Sequence, residues 1–254
     1  MNLSDPHTFE LFLQVYGTLP RAGPGSDALT ARALDLVPGE PARTVLDLGC
    51  GPGAQTLALA KALPTARIIA LDMLPQMVTE TNRRCRDAGI ADRVRADVGD
   101  MAEPLVSPGS QDLIWCEGAA YFLGVENALR TWRSLLTPGG SIAFTEPVWL
   151  RPDPPEEVRR WWESQYPAIT DDLGVRAAAQ AASFRTISSF SFPAKTWWDE
   201  YYEPMQLRIA DLRASHPEDP AAIDVVEGAE QEIDYHRRFS DCYSYGFFIV
   251  QPDD

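Results

Sequence analysis

Val45-Leu46-Asp47-Leu48-Gly49-Cys50-Gly51-Pro52-Gly53 decides the fold. Thr44–Leu48 is a short β-branched and apolar run, which predicts a strand. It passes directly into three alternating glycines, and Thr56–Leu63 then reads as a helix. Glycine permits the tight turn and removes the Cβ that would bar close approach of a ligand to the main chain. The following helix presents its N-terminus to that ligand. The arrangement points to a nucleotide-type molecule lying against backbone. Gly49, Gly51 and Ala54 also satisfy the dinucleotide pattern G-x-G-x-x-[GA], with Asp72 eighteen residues beyond Ala54, so a dinucleotide site stands as a competitor. Asp47, two residues before the first glycine, is expected to face the ligand. A carboxylate there suits a cationic group better than a pyrophosphate, which it would repel.

Working outward, Arg67–Leu71, Arg93–Val98, Asp112–Cys116 and Ser141–Thr145 predict further strands. Helices are expected over 27–37, where Ser26 supplies an N-cap, and over Pro75–Ala88 and 125–136. Strand–helix alternation with apolar strand runs means a parallel sheet covered on both faces. Beyond residue 150 the pattern changes. Pro147, Pro152, Pro154 and Pro155 punctuate a linker, and aromatic residues become dense. Residues 185–192 and 243–250 predict two more strands, with helical stretches over 197–214 and 219–238 between them. That stretch, about 193–240, reads as a helical lid inserted into the sheet domain. The expected organisation is one domain over 1–254: an N-terminal helical cover (1–40), a donor-binding core (41–150), and the remaining strands with their lid (151–254). The tryptophan pairs 161–162 and 197–198 are expected in core or lid packing, some of them lining the acceptor pocket.

The chain has 254 residues, 45% hydrophobic and 23% charged, which is globular composition. Lys+Arg is 22 and Asp+Glu 37, so the formal net charge is 22 − 37 = −15. Such a surface repels phosphate backbones and argues against a nucleic-acid or anionic-membrane partner. No apolar run is long enough to span a bilayer, and Met1–Pro6 lacks the pattern of a signal peptide. Cys50, Cys85, Cys116 and Cys242 are scattered, and His7, His216 and His236 do not cluster. Neither a metal site nor a disulfide framework is expected, and a cytoplasmic location is the default.

Residues 44–146 as a whole resemble the class I S-adenosylmethionine-dependent methyltransferases. D-L-G-C-G-P-G at 47–53 is followed by I-I-A-L-D at 68–72, Gly99-Asp100-Met101, D-L-I-W opening at Asp112, and L-L-T-P-G-G-S-I at 135–142. The likeness is to the small-molecule branch, of the ubiquinone/menaquinone-biosynthesis type. There an R-x-G-P-G-S segment precedes the glycine motif, as Arg21–Ser26 does here. The resemblance implies an α/β, Rossmann-like, doubly wound, mostly parallel seven-stranded sheet with an antiparallel last strand. It implies S-adenosyl-L-methionine as cofactor and S-adenosyl-L-homocysteine as product. The donor would lie on Asp47, Gly49, Gly51 and Gly53, with Asp72 gripping the ribose hydroxyls and Met73 beside it. Asp100, rather than Asp97 within strand three, would bond the adenine amine, and Met101 would pack on the ring. Arg21 would meet the methionine carboxylate or close over the site, and Tyr16 would act similarly. Glu117 and Tyr121, just after strand four, would lie near the methyl group. The segment Asp100–Leu105 departs from the family's Leu-Pro-aromatic run.

The activity so implied is methyl transfer to a small-molecule acceptor by in-line displacement. A hydroxyl or acidic-carbon acceptor would also need a general base, for which Glu117, Tyr121 and His236 are the candidates. Cys116-Glu117-Gly118-Ala119 stands where nucleic-acid methyltransferases carry N/D-P-P-[YF], which again argues against nucleic acid. No membrane insertion is expected, and the chain would act as a monomer or homodimer. The competing functions are an NAD(P)-dependent oxidoreductase and a non-catalytic S-adenosylmethionine-binding protein.

Overall fold

A computed structural model describes residues 2–253. In chain order the elements are α1 (Pro6–Val15), α2 (Asp27–Asp35), β1 (Thr44–Leu48), α3 (Ala54–Ala62), β2 (Arg67–Asp72), α4 (Pro75–Asp87), β3 (Val94–Val98), β4 (Gln111–Cys116), α5 (Val125–Arg133) and β5 (Leu136–Trp149). They continue with α6 (Glu156–Gln165), β6 (Thr170–Asp171), α7 (Asp172–Ala181), β7 (Phe184–Ser191), α8 (Ala194–Trp197), α9 (Glu203–Ser215), α10 (Pro220–Phe239) and β8 (Tyr243–Pro252).

The strands form one sheet in the order β3-β2-β1-β4-β5-β8-β7. β1 to β5 run parallel, and β8 lies antiparallel between β5 and β7. The strand order reverses between β1 and β4. In an open α/β sheet that reversal opens a crevice at the carboxyl ends of the strands, where ligands bind.

Alternation along the strands divides the core into two faces. Leu46, Ile114, Phe144 and Phe248 pack toward α5 and α7. Val45, Trp115, Ala143 and Phe247 pack toward α2 and α3. Both faces are buried, which accounts for the near-continuous apolar strand runs. A third cluster lies among the helices, where α1 packs on α9 and α10 through Leu11, Val15, Met205, Ile209, Val226 and Ile233.

The structure extends the sequence expectation in three places. β5 continues to Trp149, through Pro147, where a linker was expected. β8 pairs with it residue by residue from Ile142↔Val250 to Trp149↔Tyr243, so the backbone remains satisfied beyond the end of β4. An eighth, two-residue strand, β6, pairs with Val148 and Trp149 at the far end of β5. Helix α1 lies in the expected helical cover over 1–40, for which no bounds were read, and its start is encoded: Asp5 accepts the Thr8 amide at 2.8 Å, and Pro6 occupies the first helical position. Between β7 and β8 the chain runs through α8, a wide turn at Trp198–Tyr202, α9 and α10.

Candidate functional site

The loops after β1, β2, β3 and β4 enclose a cavity of about 610 Å³, closed on its remaining side by the end of α1 and by Arg21–Pro24. The turn after β1 forms its floor. Gly49 has φ +69, and a Cβ there would stand 2.5 Å from that of Ala119, so only glycine lets this turn meet the β4 loop. The Gly51 amide donates to Asp72 Oδ2 at 2.8 Å, and the Leu74 amide donates to Oδ1 at 2.9 Å. Asp72, at the end of β2, thus holds the glycine turn while lining the cavity. Burial raises its carboxyl above the usual value, against the pull of the two amides.

Two residues of the glycine motif sit elsewhere than expected. Asp47 lies on the Val45 side of β1, with α3 rather than the cavity beside it. Its carboxylate accepts Thr56 Oγ1 at 2.5 Å and Gln55 Nε2 at 3.4 Å, and it is fully buried. Burial pushes it up to about 7. Gln55, not Asp47, is the side chain that reaches the cavity. Gly53 is also outside the lining. With φ +87, a Cβ there would meet Thr81 at 2.7 Å, so it serves the packing of α3 against α4.

On the opposite wall, Asp100 is exposed, lines the cavity, and accepts the Ala102 amide at 2.8 Å. Met101 lines it too, and its carbonyl accepts Trp132 Nε1 at 2.8 Å, fixing the loop that departs from the family pattern. Met73 stands at the rim, 66% exposed. Tyr16 and Tyr121 line the cavity, and burial raises both phenols.

Glu117 lines the cavity but is fully engaged. Oε2 accepts Arg21 Nη1 at 2.9 Å, while Oε1 accepts Thr30 Oγ1 at 2.7 Å and Trp115 Nε1 at 2.9 Å. Three donors, one of them a guanidinium, occupy its two oxygens and fix the direction in which the carboxyl group faces. Glu117, expected as a candidate general base, is thus the anchor on which Arg21, Thr30 and Trp115 converge. Arg21 also donates to Asp27 at 3.0 Å, and its Nε is buried without a hydrogen-bond partner.

His236 is corrected as well. It lines neither this cavity nor its neighbour, is fully buried, and stacks on Trp197 at 4.5 Å. Neither ring nitrogen has a hydrogen-bond partner, and burial lowers it to about 4. The cause is helical spacing: Val225, Ala229, Ile233 and His236 form the buried stripe of α10.

A second cavity of about 270 Å³ adjoins the first, sharing Ala22, Gly23, Pro24, Gly118 and Tyr121 with it. Its far wall is aromatic and includes Glu232, whose Oε2 accepts the Tyr16 hydroxyl at 3.3 Å. Burial pushes Glu232 up to about 7, against tyrosine hydroxyls led by Tyr201. Tyr166, on the same wall, donates to Glu146 Oε1 at 2.6 Å. Glu146, at the carboxyl end of β5, is 2% exposed, with Oε2 unpartnered, and burial pushes it up to about 8. Sequence reasoning missed both acids. Glu232 sits among many Asp and Glu on α10, and nothing local separates the one that turns inward. Glu146 lies where β5 was expected to have ended.

Among the described residues, no three His, Cys, Asp or Glu are grouped so as to hold a metal ion. None of the described helices is long and apolar enough to cross a membrane.

Residues 45–140 match a family model described as a methyltransferase domain. The chain is 33% identical to nocamycin O-methyltransferase of Saccharothrix syringae over 132 residues, which is 51% of this chain and 45% of that protein. It therefore spans a little under half the length of that relative. With trans-aconitate 2-methyltransferase of Escherichia coli it shares 29% identity over 82% of this chain and 81% of the relative. In fold it is similar to a SAM-dependent methyltransferase from Geobacter sulfurreducens solved with S-adenosyl-L-homocysteine, with TM-score 0.79, 23% identity, and 98% of each chain covered.

Proposed function

Taking as premise that the chain belongs to the class I S-adenosylmethionine-dependent methyltransferases, we propose that it transfers a methyl group from S-adenosyl-L-methionine to a small-molecule acceptor. The larger cavity is the donor site and the smaller one, across their shared wall, the acceptor site. The observation that carries this assignment is the frame of Gly49, Gly51 and Asp72, which presents glycine backbone and a tethered carboxylate to one cavity at the strand-order reversal.

The residues present fit an adenosyl sulfonium. Asp72 is positioned to accept ribose hydroxyls, Asp100 to accept an amine proton of the base, and Met73 and Met101 to cover the ring. Gly49, Gly51 and Gln55 border the amino-acid end, with Arg21 and Tyr16 closing over it. Asp47 and Gly53 support that loop from behind. The donor, when bound, supplies a methyl group already activated by its positive sulfur.

The chain's task is then to align. The acceptor atom must lie on the methyl–sulfur axis at about 3–3.5 Å, so that little entropy is lost at the chemical step. Tyr121 and Gly118, with Ala22–Pro24, border both cavities, which supports reading this shared wall as the point of transfer. The helices over about 193–240 form the lid: Trp197, Tyr201, Tyr202 and Glu232 wall the smaller cavity and exclude water. With Glu117 and His236 otherwise engaged, Tyr121 is the remaining member of the expected trio beside the transfer point. The function uses residues of one chain, so either a monomer or a homodimer can perform it. Four free, buried cysteines suit a reducing compartment, and we place the protein in the cytoplasm.

Calorimetry tests the donor assignment. S-adenosyl-L-homocysteine should bind with micromolar or tighter affinity, and NAD(P)+ should not compete. Saturable NAD(P)+ binding displaced by the thioether would instead establish the dinucleotide site.

A further inference from the structure

The smaller cavity has a chemical character beyond being adjacent to the donor. It is walled by Trp161, Trp162, Tyr166, Trp197, Tyr201 and Tyr202. Among the described residues, the only acid in its lining is Glu232, and no Lys, Arg or His lines it. Arg21 lines the other cavity and is committed to Glu117 and Asp27. A further donor on the wall, the Trp162 indole N–H, is buried without a hydrogen-bond partner.

We propose that this cavity selects a compact cationic amine as the methyl acceptor, its ammonium group held by Glu232 within the aromatic wall. The substrate class rests on the donor reading above. Aromatic faces attract a cation, and the attraction strengthens when the site is desolvated. A single carboxylate without a protein cation beside it completes the charge match. An anionic acceptor would meet Glu232 with nothing to neutralise it. The net charge of −15 draws cations toward the molecule at long range as well. At about 270 Å³ the space falls just below the roughly 300–1,000 Å³ of ordinary ligand pockets, so the acceptor is small. The unpartnered Trp162 indole suits an oxygen elsewhere on it.

The transfer balances. The bound ammonium gives one proton to the Glu232 carboxylate, exposing its lone pair. That pair forms the new C–N bond as the methyl C–S bond breaks, and its electrons return to sulfur. The products are a methylated ammonium and a neutral thioether. Burial already pushes Glu232 up to about 7, so it can take the proton near neutral pH.

Protein saturated with S-adenosyl-L-homocysteine is titrated with three probes of similar size: phenethylamine, 2-phenylethanol and phenylacetate. The amine should bind at least about tenfold more tightly than the carboxylate. Glu232→Gln should remove the amine's advantage over the alcohol while leaving S-adenosyl-L-homocysteine affinity within about twofold. Wild-type protein with no preference for the amine over the carboxylate, whether both bind or neither does, overturns the proposal. So does an undiminished preference in Glu232→Gln. The wild-type comparison stands whether or not the variant folds. Failure of the thioether itself to bind would count against the donor site, and the amine series run without it would still report on the smaller cavity.

Discussion

Arg21 Nη1 and Glu117 Oε2 lie 2.9 Å apart with side-chain exposures of only 4% and 7%, so the segment after α1 is tied to the end of β4 by a buried ion pair. Both residues line the larger cavity, and the pair sets the position of its cover. Removing Arg21 leaves the Glu117 carboxyl without its cation, and removing Glu117 leaves Arg21 only its more exposed partners Asp27 and Glu200. Arg21→Met and Glu117→Gln should each cost about 3–5 kcal/mol, while the double variant should recover at least about 2 kcal/mol of the sum. Urea unfolding of the four proteins gives the coupling energy directly. Additive losses would mean that Arg21 and Glu117 act independently.

Asp72 holds two amides and faces the proposed ribose. Asp72→Ala removes a carboxylate that accepts from Gly51 and Leu74, so the glycine turn loses its tether as the ligand loses its acceptor. Hydrogen bonds to a charged group contribute about 1.5–3 kcal/mol each. Affinity for S-adenosyl-L-homocysteine should therefore fall by about a hundredfold or more. Asp72→Asn, which keeps one acceptor oxygen for the amides, should lose less. Calorimetry that finds Asp72→Ala binding undiminished contradicts the donor site.

The parts legible in the sequence were those fixed by local pattern. The glycine turn, the strand ends and Asp72 follow from short-range spacing, because a strand that feeds a tight turn must place its next residues at the crevice. Asp47 was misjudged because motif position says which loop a residue joins but not which face of β1 it takes. It shares the Val45 face, and Thr56 on α3 claims it. His236 was misjudged for a similar reason: it was weighed as a titratable group, while its spacing from Ile233 and Ala229 puts it on the buried stripe of α10. Glu232 and the aromatic wall were invisible because they come together only when α10, α6 and the wide turn before α9 close on the end of β5. No spacing along the chain encodes those contacts.

Gly53 and Gly89 separate steric from conformational cost. Both have positive φ, +87 and +68, but a Cβ at Gly53 would press on Thr81 at 2.7 Å, whereas one at Gly89 meets nothing within 4 Å. Gly89→Ala should cost about 1 kcal/mol from backbone strain alone. Gly53→Ala should cost that plus an overpacking term of about 1–3 kcal/mol. It should also weaken donor binding, since α3 begins at the next residue. Equal losses in thermal or urea unfolding would show that α4 yields freely at Thr81.

Glu146 gives the protein a stability that depends on pH. Burial pushes its folded value up to about 8, against an ordinary 4.5, with only Tyr166 pulling it down. Between these two values the folded chain binds more protons at this site than the unfolded chain does. Stability therefore falls as pH rises through that window, and the loss is complete above about pH 8. Glu146→Gln keeps an acceptor for the Tyr166 hydroxyl and places an N–H₂ group where Oε2 now lies unpartnered, without a charge to bury. The variant should match the wild type near pH 4 and exceed it by about 2–4 kcal/mol at pH 9. Asp47, Glu232 and His236 also titrate differently in the two states, but they are common to both proteins and cancel in the difference. Melting temperatures of the pair, measured from pH 5 to 9, should diverge steadily. A constant gap would mean that Glu146 is ionised in the folded and unfolded chains alike and that burial does not raise it.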